Sequence, residues 1–177
     1  MIEMIAIDQI ILNLFSQYRV EWLSFIMLTI TYMGGYLMIG GLTTLSIISL
    51  YIHNKTKQIL ALLITVGGSA GTVYLLKNLF YKARPFTEMI YTETSSSFPS
   101  GHATLAMALY GFLIYTIWKH EKHPLQKPVI WVLAILILLV GISRLYLGVH
   151  YLSDVLVGFV IGFIWLWIAL VSLKSKS

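Results

Sequence analysis

Apolar residues recur along this chain in blocks of roughly 18–23, each about what a helix needs to cross the ~30 Å hydrocarbon core of a bilayer. Such blocks take up most of the sequence, so the greasiness does not come from one anchoring tail. Of the 177 residues 58% are hydrophobic and 11% charged, which is far from the balance of a water-soluble domain. The pattern predicts an all-α, polytopic transmembrane helical bundle forming a single domain over residues 1–177. Cysteine is absent, which removes disulfides, thiolate catalysis and cysteine-ligated metals. The net charge of +5 comes with no lysine or arginine run, so nucleic acid is not an expected partner, and membrane topology accounts for most of the basic residues.

The N-terminal stretch, "MIEMIAIDQIILNLFSQYRVEW", lacks a basic leader and a small-residue cleavage site and is expected to stay on the mature protein. Glu3, Asp8, Asn13 and Gln17 interrupt its apolar pattern every four or five positions, the spacing of an interfacial amphipathic helix. From Trp22 to Ile52 the apolar run is too long for one span and is broken by Gly34-Gly35. It divides into a short helix and a first crossing from about Tyr36. Ile59 to Leu76 is the second crossing, with Gly67, Gly68, Ser69, Ala70 and Gly71 permitting close helix packing. His102 to Trp118, Val129 to Tyr146 and Tyr151 to Leu173 are the third, fourth and fifth. Five crossings plus an interfacial N-terminal region is the expected architecture, and six crossings the alternative. Lysine gathers in the 53–58 turn, the 119–127 turn and the "KSKS" tail, all on one side of such a threading, which the positive-inside rule makes cytoplasmic.

The segment from Lys77 to Gly101 then faces outside, yet Lys77, Lys82 and Arg84 open it, against that rule. Threading brings four helix ends together there, carrying Lys77 and Arg84; Ser100, Gly101 and His102; Ser143 and Arg144; and His150 and Asp154. Cations with hydroxyls and imidazoles make a poor metal site and a strong phosphate site, because arginine forks match phosphate oxygens bidentately. Pro99 and Ser100 end the loop and cap a helix, Gly101 lets backbone approach a ligand, and the free N–H groups of the first turn favour an anion. His102 is placed to protonate a leaving oxygen. His150 and Asp154 share one helix face at i,i+4, so the carboxylate can fix the imidazole tautomer and leave the other ring nitrogen free to attack phosphorus. Each cation alone reads as a snorkelling side chain at a helix end; together, at four converging ends, they read as a site. His53, His120 and His123 lie in basic turns and read as solvated. Lys82 divides between a surface charge and steering of an anionic substrate. Tyr32, Tyr36, Trp118, Trp131 and Trp165 read as interface anchors or packing residues.

"KNLFYKARP" (Lys77 to Pro85), "PSGH" (Pro99 to His102) and "SRLYLGVHYLSD" (Ser143 to Asp154) together resemble the three-part signature of the type 2 phosphatidic acid phosphatase superfamily. All three parts stand in order with no signature position substituted, over less than half the chain. The resemblance implies a phosphomonoesterase or pyrophosphatase that uses neither metal nor other cofactor. It implies that Lys77, Arg84 and Arg144 hold phosphate oxygens with help from Ser100 and the Gly101 amide, and that His102 is the general acid. It further implies that His150 is a nucleophile forming a phosphohistidine, oriented by Asp154. Ser143 is implied as a phosphate contact or a support for the site. The soluble haloperoxidase branch of the superfamily does not suit so apolar a chain.

Placement among apolar helices favours a substrate whose tail stays in the bilayer. The expected partners are thus the membrane and a lipid phosphate or lipid diphosphate. Within the resembling family the candidates are phosphatidylglycerophosphate, phosphatidic acid and undecaprenyl diphosphate, with lipid A as the alternative. The expected location is a bacterial cytoplasmic membrane with the site on its outer face. From another class, a non-catalytic phospholipid-binding or transport protein is the competing reading, though it leaves the two histidines and Asp154 without a task.

Overall fold

In the computed structural model, which describes residues 2–85, 93–120 and 123–174, the chain forms seven α-helices, and no strand is present among the described residues. They are α1 (Ile2–Gln17), α2 (Glu21–Met33), α3 (Tyr36–Ile52), α4 (Thr56–Leu79), α5 (Gly101–His120), α6 (Gln126–Tyr146) and α7 (Leu152–Lys174). Glu121 and Lys122 of the basic turn and the last three residues of the lysine-bearing tail lie outside the described residues. Four helices, α4 to α7, are each long and apolar enough to cross a membrane. The first crossing differs from expectation. With 17 residues, α3 reaches only about 25 Å at 1.5 Å per residue, short of the ~30 Å core. It meets the requirement only together with α2, from which it is bent by 42°. The break falls at Gly34-Gly35, as the glycine pair predicts. A side chain at Gly34 would stand 2.5 Å from Val140 Cγ1 and 3.3 Å from the carbonyl of His102, so the bend is wedged between α6 and α5.

The core is built around α5, against which α3, α4, α6 and α7 all pack. Ala103, Ala106, Ala108, Leu109 and Phe112 are buried on this helix, and a helix covered on nearly every side need not be amphipathic. In lipid, helices associate through close packing rather than hydrophobic expulsion, which puts a premium on small residues at crossings. On α7 a Cβ at Gly158 would come 2.8 Å from the Ser100 carbonyl, and one at Gly162 would come 2.5 Å from that of Thr104. On α4 the small residues divide: Gly68 lies under the Trp165 ring and Ser69 is buried, while a Cβ at Gly67 or Gly71 would meet nothing within 4 Å.

Both N-terminal helices dock at the end of the bundle that carries His150. Ile11 and Phe15 of α1 pack on Leu145 and Val155. Asp8 is buried and accepts hydrogen bonds from the Ser153 amide (3.0 Å) and hydroxyl (2.6 Å), so this polar position of the amphipathic pattern meets protein. Alongside α6, the Arg19 guanidinium donates to the Tyr146 carbonyl (2.8 Å) and Thr31 lies against Arg144.

Candidate active site

α6 ends in a turn that only glycine makes comfortably: Gly148 has φ 71°, and its amide and that of Val149 close back on the carbonyls of Leu145 and Arg144. This reversal brings His150 into the bundle, 1% exposed, just before α7 begins. Asp154 lies in the first turn of α7, where the helix dipole favours a carboxylate. Its Oδ2 accepts from the Tyr151 amide (3.0 Å) and the Ser97 hydroxyl (2.5 Å), and stands 3.6 Å from His150 Nδ1. The other ring nitrogen, Nε2, lies 3.4 Å from Arg84 Nη1. A guanidinium can only donate, so Nε2 presents its lone pair and the proton sits on Nδ1, facing Asp154 and Ser97. Burial, reinforced by the nearby charges of Arg144 and Arg84 and opposed by Asp154, pushes His150 down to about 4. The imidazole is therefore neutral and nucleophilic at neutral pH.

Two arginines meet on one carboxylate, and one of them, Arg84, contacts this ring. Arg84 is fixed through Nε to the Ser95 carbonyl (2.8 Å) and through Nη1 to that of Val149 (2.8 Å). Arg144, wholly buried at the end of α6, donates from Nη1 to Thr31 Oγ1 (2.9 Å). Between the two lies the carboxylate of Glu93, with Oε2 on Arg84 Nη2 (2.5 Å) and Oε1 on Arg144 Nη2. Lys77, in the last turn of α4, donates to the Ser96 carbonyl and lies 3.5 Å from Ser95 Oγ, a hydroxyl also bound by Arg84. Lys82 binds Asp154 Oδ1 at 2.7 Å.

The start of α5 closes the site. The Ser100 amide donates to the Asp154 carbonyl (3.1 Å), and Ser100 Oγ lies 3.5 Å from the Ala103 amide, in the position of a helix cap. A Cβ on Gly101 would stand 2.9 Å from the Tyr36 hydroxyl, so α3 packs against backbone here. The His102 ring meets Tyr36 edge-on, with centroids 6.1 Å apart. Tyr36 parts two largely apolar cavities. One, of about 600 Å³, runs past Ala70, Val73 and Leu105 with Lys77 at its wall; the other, of about 680 Å³, runs past Leu37, Leu42 and Leu45 to His102.

Lys77, Arg84, Arg144, His150 and Asp154 are thus linked through shared partners, with Ser100 tied in by its backbone and Gly101 and His102 on the adjoining turn. Ser143 stands apart: its hydroxyl donates to the Val140 carbonyl of its own helix at 2.7 Å. Sequence reasoning passed over Glu93, Ser97, Thr31 and Asp8 and left Lys82 undecided. Lys82 had a signal, as a cation on the wrong side of the threading; Ser97 in a serine run had none.

Residues 58–176 match the model of the PAP2 superfamily. Phosphatidylglycerophosphatase B of Bacillus subtilis is 34% identical over 148 residues, 81% of this chain and 72% of that protein. The undecaprenyl-diphosphatase BcrC of the same organism is 34% identical over 110 residues, 56% of this chain and 52% of that one. The crystal structure of a transmembrane PAP2-type phosphatidylglycerolphosphate phosphatase from B. subtilis superposes with a TM-score of 0.88 at 30% identity, covering 96% of this chain and 86% of that one. LpxE of Aquifex aeolicus superposes with a TM-score of 0.73 at 26% identity, over 90% and 92%. With family, fold and motif geometry in agreement, this chain belongs to the PAP2 superfamily, in its branch of integral membrane lipid phosphatases.

Proposed function

We propose that this chain hydrolyses a phosphomonoester or diphosphate of a lipid through a phosphohistidine on His150, with Lys77, Arg84 and Arg144 holding the phosphate oxygens. The observation that carries this reading is the grip of both guanidiniums on the single carboxylate of Glu93, with the lone-pair-bearing Nε2 of His150 3.4 Å from Arg84 Nη1. An anion is already bound between these arginines, and a phosphate offers them the same pairs of oxygens with more charge. Nε2 attacks phosphorus as the bond to the leaving oxygen breaks, and His102 gives that oxygen its proton. Asp154 stabilises the imidazolium by its charge, with the Ser97 hydroxyl between its Oδ2 and Nδ1–H. Water then attacks phosphorus, His102 takes its proton, and the P–N bond breaks to release phosphate and restore His150. The Ser100 hydroxyl and Gly101 amide assist at the helix start.

The tail fits the two apolar cavities that flank Tyr36, one reaching Lys77 and the other His102. The names of the relatives, phosphatidylglycerophosphatase B and undecaprenyl-diphosphatase, favour phosphatidylglycerophosphate or undecaprenyl diphosphate, with phosphatidic acid as a further candidate. The lysine-bearing turns at the opposite end of the helices support a site on the outer face of a bacterial cytoplasmic membrane, by the positive-inside rule. The test is phosphate release by the purified chain in detergent micelles from a panel of these lipids, with and without EDTA. Turnover that survives EDTA and vanishes in His150→Ala is expected; wild-type turnover in His150→Ala would overturn the mechanism.

A further inference from the structure

Of the cations in the Lys77–Arg84 segment, Lys82 alone turns toward Asp154. Its Nζ lies 2.7 Å from Asp154 Oδ1, 3.0 Å from Ser153 Oγ and 4.0 Å from Asp8 Oδ2, and rests 4.4 Å from the centroid of the Tyr151 ring. Asp154 is wholly buried, and its two oxygens are served from two directions: Oδ2 by Ser97, Tyr151 and the nearby His150, Oδ1 by Lys82. Lys82 and Ser97 are also joined through their backbones, since the Ser97 amide donates to the Lys82 carbonyl at 2.9 Å. Two loop residues, 15 positions apart and clasped to each other, therefore hold the two oxygens of one carboxylate. On its far side the Lys82 ammonium is fixed by α1, where Asp8 accepts both hydrogen bonds of Ser153 and faces the ammonium.

We propose that Lys82 is a positioning residue for the reaction: with Asp8 and Ser153 behind it, it fixes the rotation of the Asp154 carboxylate that orients His150. This rests on the assignment of His150 as nucleophile. A carboxylate gripped at one oxygen only can turn about its own axis, and the imidazole loses its fixed partner when it does. A charge-assisted hydrogen bond of normal length to the second oxygen removes that freedom. The lysine acts on the chemical step through Asp154, and its contacts leave the anion between Arg84 and Arg144 to the arginines.

The test uses the full chain in detergent micelles with a short-chain phosphatidic acid, comparing Lys82→Met, Lys82→Arg, Asp8→Asn and Asp154→Asn with the double variant Lys82→Met/Asp154→Asn. Lys82→Met is expected to lower kcat about tenfold to a hundredfold with KM within about twofold, the loss of one charge-assisted bond felt only in the chemical step. Lys82→Arg should recover most of the rate, and Asp8→Asn should cost about threefold, since it removes a charge 4.0 Å away and leaves the direct bond. In the Asp154→Asn background, Lys82→Met should have little further effect, because contacting groups that act as one unit are not additive. A rise in KM at constant kcat would make Lys82 a substrate contact, and an undiminished effect in the Asp154→Asn background would make it a merely structural one; either overturns the proposal, as does an unchanged kcat. Should Lys82→Met fail to fold, Asp8→Asn still decides: the loss of about threefold supports the proposal, and a wild-type kcat overturns it. Wild-type turnover in His150→Ala is the separate result that would remove the underlying mechanism.

Discussion

Ser97 Oγ stands between an imidazole and a carboxylate, 3.4 Å from His150 Nδ1 and 2.5 Å from Asp154 Oδ2. A hydroxyl has one hydrogen to give and lone pairs to receive, so it can accept from Nδ1–H while donating to Asp154. The direct Nδ1–Oδ2 separation of 3.6 Å is longer than a hydrogen bond, which makes this relay the better-formed of the two links. Ser97→Ala is expected to lower kcat by about tenfold to a hundredfold at nearly constant KM, the scale of one hydrogen bond to a charged group. Steady-state kinetics on a short-chain lipid phosphate checks this, and an undiminished kcat would mean that Asp154 acts on His150 directly.

Glu93 holds the guanidiniums that the proposed substrate needs, so substrate binding must displace it. Exchanging its carboxylate for an amide removes the negative charge and leaves one acceptor oxygen for two guanidiniums, because the amide nitrogen can only donate; losing one such bond weakens the competitor by about 1.5 kcal/mol, or roughly tenfold. Inhibition of Glu93→Gln by inorganic phosphate or vanadate should accordingly set in at about tenfold lower concentration than in wild type. Weaker inhibition in the variant would show that Glu93 assists the anion instead.

The depressed proton affinity of His150 has a definite sign. Folded, the imidazole stays neutral until the pH falls to about 4, whereas in the unfolded chain it takes up a proton near 6.5. Between those values the unfolded state binds a proton that the folded state refuses, so this residue's contribution to stability is lost as pH falls through that window. Ring nitrogen shifts of ¹⁵N-histidine in the micelle-bound protein, assigned with His150→Ala, should place the His150 midpoint near 4. A midpoint at 6.5 or above would contradict the burial and the charge environment described.

Packing of α7 on α5 offers a test independent of chemistry. A methyl at Gly162 would stand 2.5 Å from the Thr104 carbonyl and 2.9 Å from Met107 Cβ, and backbone cannot step aside as a flexible side chain can. Gly162→Ala is expected to cost about 1–3 kcal/mol as an overpacked contact. Gly67→Ala, with nothing within 4 Å, should be neutral or stabilising through better helix propensity. Thermal unfolding in detergent separates the two, and equal melting temperatures would argue against the tight α5–α7 crossing.

The architecture was largely legible because its cause is local: an apolar block of membrane-spanning length is a contiguous string, and the break falls at Gly34-Gly35, although Gly40-Gly41 and Gly67-Gly68 lie inside continuous helices. The motif residues were legible for a related reason, each lying at a helix end within a short string of fixed spacing. Ser97, Glu93 and Thr31 gave no such signal, since their importance arises only when separate helices meet, as when Arg144 takes Thr31 at 2.9 Å. Asp8 shows the limit most plainly. Its spacing revealed a polar stripe on a helix, but a stripe does not say whether water or Ser153 lies opposite. α3 shows a second limit, for its span is completed by a helix on the other side of a 42° bend.

The docking of α1 and α2 onto α6 and α7 also bears on how the protein is made. Asp8 waits 145 positions for Ser153, Arg19 waits 127 for the Tyr146 carbonyl, and Thr31 waits 113 for Arg144. Chain synthesis runs from the N-terminus, so these first-made helices spend nearly all of translation without the partners that settle them. The residues proposed for catalysis consequently come together only once α7 follows α6, since α7 carries both Asp154 and the Ser153 that Asp8 binds.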